Sequence, residues 1–121
     1  PGGFSSHGYD EVYDHRIFDL IRTIHAQGGT LATMCVGILP VAESGRLDGK
    51  RATTYPRSQH NIDRLRDNGA VMTDELVVVD NRIISCQGPA QTIDVAMLLL
   101  DCIIGPEACA EVRHYMMAES L

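Results

Sequence analysis

The run Thr33-Met34-Cys35-Val36-Gly37 sets a thiol between a β-prone segment and a helix-prone one. A tight strand-to-helix turn of this kind lifts a side chain above the carboxyl edge of a sheet, the geometry of a nucleophile elbow. N–H groups at the start of the following helix hold negative charge, and the same field favours a thiolate. Gly37 lets the turn pack closely, while Thr33 stands where the full G-x-C-x-G pattern has its first glycine. The chemistry on offer is nucleophilic attack on an electrophilic carbon. A cysteine that closes a strand also serves as an inert buried thiol, and local context leaves both readings open. On the first reading Cys35 is the most reactive of the four thiols, its pKa lowered from about 8.5 toward about 5–6.

The remaining candidates are ranked by their distance from that elbow. The five histidines show no metal-type spacing with one another or with cysteine, so no zinc site is expected. His7, in the Gly-rich opening, and His60, just past Tyr55-Pro56, are placed to approach Cys35. His15, His25 and His114 belong on exposed or boundary faces. Cys86 closes a strand, and Cys102 and Cys109 fall on apolar helix faces as packing residues. No C-x-x-C unit is present, so buried free thiols fit better than a disulfide framework. Asp10, Glu11 and Asp14 read as a solvated helix start. Gly45-Arg46-Leu47-Asp48-Gly49-Lys50 is one residue short of a phosphate loop and is followed by Arg51 in place of Ser or Thr. It reads as a helix stop and a turn.

The elements that must position the thiol follow from periodicity. Ile17, Leu20, Ile21 and Ile24 form one face of a helix over 10–27, stopped by Gly28-Gly29. A strand over 30–34 leads into a helix over 36–44, with Pro40 near its first turn and Gly45 at its stop. A strand at 51–55 and a polar helix over 58–67 come next. Strands at 70–72, 76–79 and 82–86 follow, with Asp80-Asn81 as the hairpin turn. Residues 90–104 form a strongly apolar, mostly buried helix, and a last helix runs from Pro106 to about 117. Helices alternating with strands imply an α/β sandwich with a largely parallel sheet, the strand ending at Met34 running parallel to that at 51–54.

The chain has 121 residues, 45% of them apolar and 21% charged, enough for one globular core. Ten basic against sixteen acidic side chains give a formal charge of −6, which argues against a nucleic-acid partner. The longest apolar stretch, 95–100, is too short to cross a bilayer, and no secretory signal is visible, so a cytoplasmic location and no membrane partner are expected.

Pro1-Gly2-Gly3, the elbow Met34-Cys35-Val36-Gly37, the stretch from Gly45-Arg46-Leu47-Asp48-Gly49 through Thr53-Thr54-Tyr55-Pro56, and the later Val79-Asp80-Asn81-Arg82 through Gln87-Gly88-Pro89 occur in one order. In that order they resemble the PfpI/ThiJ family, which includes the Parkinsonism-associated protein deglycase and looks like class I glutamine amidotransferases in fold. The resemblance implies a flavodoxin-like three-layer sandwich, commonly dimeric, with no cofactor. It implies that Cys35 is the reactive cysteine and that the N–H groups of Gly3 and Val36 face it as an oxyanion pocket. Donors aimed at developing negative charge are what attack on a carbonyl requires.

The implied activity is a cysteine-dependent hydrolase or lyase acting on small carbonyl compounds, glyoxalase/deglycase-like or amidase-like. The alternative is a non-catalytic redox-sensing or chaperone-like module using the same thiol. A His directly follows the nucleophile in the protease-like branch, where this chain has Val36. A His twenty positions later marks the deglycase branch, where this chain has Tyr55, which hydrogen-bonds but is no base near neutral pH. Measured against the family, residues 1–121 correspond to the C-terminal two-thirds of one domain, lacking the opening strands and the acidic residue they carry. An apolar sheet edge covered by a dimer mate or a companion N-terminal fragment is therefore expected.

Overall fold

Ile83 and Ile84 are adjacent in sequence and face opposite sides of the sheet, which organises the molecule. The computed structural model describes residues 1–118; the last three positions of the expected 1–121 domain lie outside them. The strands are β1 (Leu31–Ala32), β2 (Arg51–Ala52), β3 (Val71–Met72), β4 (Val77–Asp80) and β5 (Ile83–Cys86). The helices are α1 (His15–Ala26), α2 (Ile38–Glu43), α3 (Gln59–Asp67), α4 (Thr92–Ile104) and α5 (Pro106–Tyr115). Ile83 joins a core with Leu31, Leu39, Leu47 and Leu65, against which Ile21 of α1 packs. Ile84 and Cys86 face the other way, onto Val95 of α4. Period-two alternation with both faces covered produces three layers, and every residue of β5 is buried.

β5 pairs parallel with β1 and antiparallel with β4. The register sets Asp80 opposite Ile83, so the two-residue turn is Asn81-Arg82 rather than Asp80-Asn81. Both turn residues have positive φ, 50° and 63°, as a primed hairpin turn requires. Arg82 Nη1 donates to the carbonyls of His25 (3.0 Å) and Gly29 (2.9 Å), tying the turn to the end of α1. His25 Nε2–H donates to the Asn81 carbonyl at 2.7 Å. That bond draws His25 inside, to 3% exposure, where the sequence suggested a boundary face.

β2 pairs parallel with β3 in a separate ladder, so the strand before Met34 and the strand at Arg51 are not partners. Side chains join the ladders instead: Thr53 N–H donates to Ser85 Oγ (3.0 Å) and Arg51 N–H to Asp80 Oδ2 (2.8 Å).

Several helices differ from expectation at their ends or faces, among them α2, which opens at Ile38 behind a 3-10 turn over Cys35–Gly37. Asp14, not Asp10, caps α1, accepting from the Arg16 N–H at 2.8 Å, and residues 5–7 and 9–12 are short 3-10 turns. In α4 only Val95 and Met97 are buried, while Ile103 is 69% exposed, so the helix is apolar without being mostly enclosed. Its buried stripe serves β5 and α5, and Cys102 lies on the open side. Among the described residues β1 pairs on one edge only, and Leu20 and Ile24 of α1 stand exposed. No helix among them is long and apolar enough to cross a membrane.

Candidate active site

Thr33 anchors the approach to the thiol, its N–H and its Oγ1–H both donating to the Ile84 carbonyl at 2.9 Å. The backbone is still extended at Met34 and then turns sharply: Cys35 has φ +58°, a left-handed conformation rare outside glycine. Such a residue costs on the order of 1–3 kcal/mol and persists only where its surroundings impose it. Gly37 N–H bonds the Met34 carbonyl (2.9 Å) and Thr54 Oγ1–H the Cys35 carbonyl (3.3 Å). The elbow is therefore held from β1, from the start of α2 and from the segment after β2.

The opening residues lie across it. A Cβ on Gly37 would come 2.8 Å from the Pro1 carbonyl oxygen, and one on Gly2 3.2 Å from Cys35 Cβ. Tyr9 then clamps the segment: its hydroxyl donates to the Pro1 carbonyl at 2.7 Å, and its ring leaves no room for a Cβ on Gly3, which would approach to 2.6 Å. Glycines from both ends of the site are thus required by close approach of backbone and ring.

A cavity of about 680 Å³ opens over the thiol. Gly3, Cys35, Val36, Tyr55 and His60 all line it, so the structure brings together five of the six residues singled out from sequence. His7 lies outside; its Nδ1 meets Ser6 Oγ at 2.9 Å and its ring meets Phe4 edge-on. Tyr9, Tyr13, Asn61 and Arg64 line the cavity too and were not anticipated. The four-residue spacing of the two tyrosines, and of His60 and Arg64 on α3, is the signal that marks them.

Electrostatics around the thiol correct one expectation. Burial pushes the Cys35 thiol up, a hydrogen bond from the Val36 N–H pulls it down, and nearby Cys86 raises it; the net shift is upward. One N–H, from the 3-10 turn over Cys35–Gly37, does not outweigh desolvation. Tyr9 is pushed up to about 12, chiefly by burial and then by Tyr13 and Cys35, so it remains a hydroxyl donor. Burial also raises Tyr13, against the pull of Arg64, whose Cζ lies 3.8 Å above the tyrosine ring centroid.

The other thiols have different surroundings. Cys86 and Cys109 are buried and donate to the carbonyls of Gly88 (3.6 Å) and Met97 (3.3 Å), whereas Cys102 is exposed instead of packed. Among the described residues no group of three or more His, Cys, Asp or Glu is arranged to hold a metal.

Similarity to known proteins extends over most of the chain. Residues 1–101 match the model of the DJ-1/PfpI family. Protein DJ-1alpha of Drosophila melanogaster is 29% identical over 99 residues, covering 82% of this chain and 44% of that protein. An isonitrile hydratase of Pseudomonas putida is 32% identical over 100 residues (83% and 42%), and a glutathione-independent glyoxalase of Caenorhabditis elegans 25% over 91 (75% and 47%). The crystal structure of Drosophila melanogaster DJ-1beta superimposes with a TM-score of 0.83 at 27% identity, covering 97% of this chain and 61% of that one. The α/β, flavodoxin-like fold is thereby established. The chain spans about half the length of the curated relatives it matches, 44% and 51% for the two Drosophila proteins.

Proposed function

The chain belongs to the DJ-1/PfpI family, and from that premise we propose that it acts as a cysteine-dependent hydrolase or lyase on small carbonyl compounds, with Cys35 as the nucleophile. The observation that carries this reading is the elbow itself, a non-glycine residue at φ +58° whose thiol receives the Val36 N–H and lines an open cavity. A strained backbone that aims one reactive side chain at a cavity has a use beyond packing. Relatives named isonitrile hydratase and glyoxalase support chemistry at an electrophilic carbon.

In the first step the Cys35 sulfur bonds to the carbonyl carbon as the C=O π pair moves onto oxygen. The N–H groups of Val36 and Gly3 are the donors we assign to that oxyanion. Because the free thiol is not ionised in advance, its proton must leave as the substrate binds. His60 is the imidazole on the cavity wall and the acceptor we assign, with Tyr55 donating to the substrate. For an α-oxoaldehyde the sum is addition of one water to give an α-hydroxy acid, the aldehyde carbon being oxidised and the ketone carbon reduced, with no external oxidant. Methylglyoxal turnover tests this: Cys35→Ser is expected to abolish it, and turnover surviving the substitution would sink the mechanism.

Tyr55, in place of a histidine, favours a second reading, a redox-sensing or chaperone-like module in which the same thiol is oxidised. Cys35 gaining two oxygens under mild peroxide, with no methylglyoxal turnover at any pH, would select it. On either reading we assign the chain to the reducing cytoplasm and to a larger assembly, a homodimer or a companion segment. The unpaired edge of β1 and the exposed Leu20 and Ile24 support that assignment, and gel filtration with intact mass checks it.

A further inference from the structure

The wall of the Cys35 cavity carries a single side chain that is charged throughout the neutral range. The titratable groups lining it are Tyr9, Tyr13, Cys35, Tyr55, His60 and Arg64, and of these only the guanidinium is permanently ionised. Arg64 is also held in a defined orientation. Its Nε donates to Glu43 Oε1 at 2.6 Å, from α3 to α2, and its Cζ lies over the Tyr13 ring. Each side chain of the ion pair is only 29% exposed, so the pair is partly shielded from solvent and salt.

That ion pair uses one edge of the guanidinium. The two terminal Nη groups make no hydrogen bond to any described residue, and Glu43 is not among the residues lining the cavity. A planar fork that is fixed at Nε and open at both Nη groups matches the two oxygens of a carboxylate. No carboxylate lines the cavity, so nothing on its wall repels an anion.

We infer that Arg64 is the anion-recognising residue of the Cys35 cavity and selects small carbonyl compounds that also carry a carboxylate, the 2-oxo acids being the simplest class. The inference rests on the proposed role of Cys35 as nucleophile. It assigns two ends to the cavity, an electrophile end at the thiol and an anion end at α3. The α-hydroxy acid formed from an α-oxoaldehyde has the same anionic group and fits the same wall. Arg64 is in this sense a specificity residue, contributing more to the choice of ligand than to the reactivity of the sulfur.

Alkylation of the intact chain by iodoacetate and by iodoacetamide, read at Cys35 by peptide mapping, separates the two ends. The reagents share one reactive carbon and differ in charge. N-acetylcysteine amide, a neutral thiol, sets the intrinsic ratio of their rates. The iodoacetate-to-iodoacetamide ratio at Cys35 is expected to exceed that reference by roughly tenfold, since one fixed opposite charge in a shielded site acts on one reagent only. Arg64→Met returns the ratio to the reference. Arg64→Lys retains part of the preference, and Glu43→Gln raises it by freeing the guanidinium from its internal anion. The wild-type ratio needs no variant, so a poorly folded Arg64→Met does not spoil the test.

A reactive Cys35 with the reference ratio in the wild-type chain, or a preference that survives Arg64→Met, overturns this inference and leaves the nucleophile reading standing. A Cys35 that neither reagent modifies while Cys102 is labelled overturns the nucleophile reading and this inference with it.

Discussion

Among the described residues non-glycine positions with positive φ occur at the elbow, at the hairpin and at Met117 behind α5, and the first two use the same backbone rarity in opposite ways. At the elbow Cys35 has φ +58°; at the hairpin Asn81 and Arg82 have φ +50° and +63°. The Arg82 side chain is tied down through Nη1, which bridges the carbonyls of His25 and Gly29, and the Asn81 carbonyl receives the buried His25. The Cys35 side chain accepts one hydrogen bond, from Val36, and otherwise faces a cavity. A left-handed residue is therefore not in itself a mark of function. What distinguishes the elbow is that the surrounding structure imposes the conformation and leaves the side chain uncommitted. The histidines repeat the contrast, His25 being used inside the fold and His60 standing on the cavity wall.

The comparison breaks most visibly at Cys35. Cys35→Gly removes the nucleophile and relieves the left-handed strain, so turnover should fall by at least about 100-fold while stability rises by about 1 kcal/mol. Denaturant titration alongside a methylglyoxal assay reads both, and a variant less stable than wild type would mean that the elbow is not strained.

At the hairpin the reverse is expected. His25→Leu leaves the Asn81 carbonyl without its buried donor and costs about 2 kcal/mol, and Arg82→Ala costs about 1–2 kcal/mol. Neither should alter the rate at which iodoacetamide modifies Cys35. Hydrogen exchange at the hairpin amides, together with the urea midpoint, checks that the loss is local to that end.

Gly3→Ala probes how the opening segment is held. A methyl group forced against the Tyr9 ring displaces the backbone beside the thiol, and turnover should drop roughly tenfold with little change in the urea midpoint. If turnover is unaffected, Tyr9 does not set the geometry of this wall.

The smallest effects are those of pH. Because burial raises the Cys35 thiol, its alkylation rate should go on climbing past about pH 9, where a free thiol levels off. A plateau near neutral pH would show a thiolate stabilised by something other than the Val36 N–H. Tyr9 binds its proton more tightly in the fold, its pKa being raised to about 12 from 10.0, so its contribution to stability is complete below about pH 10. That contribution is lost as pH rises from 10 to 12, and Tyr9→Phe should flatten the alkaline limb of a thermal-melt series.

Much of this architecture is legible in the residues. The β-prone runs at 76–79 and 82–86 identify the hairpin strands, and the β-prone run ending at Met34, followed by Val36-Gly37, identifies the elbow. Local patterns locate such features because they are set by neighbours one to four residues apart. The start of α1 at His15 was harder to see, since Asp10, Glu11 and Asp14 are all competent helix openers and only Asp14 meets a free N–H, that of Arg16. The hairpin turn moved by one residue because register, not turn propensity, decides which pair closes a ladder.

By itself, then, the order of residues determined the elements, the elbow cysteine and the family motifs, all of them matters of short-range periodicity and turn chemistry. Only the tertiary structure decided that Tyr9, Tyr13 and Arg64 share a cavity with Cys35 and that His7 does not. It likewise decided that β1 pairs with β5 and not with β2. Even the direction of the Cys35 shift belongs to that level. A helix-start N–H is visible from sequence, but the water that folding removes from the sulfur is not, and here desolvation is the larger effect.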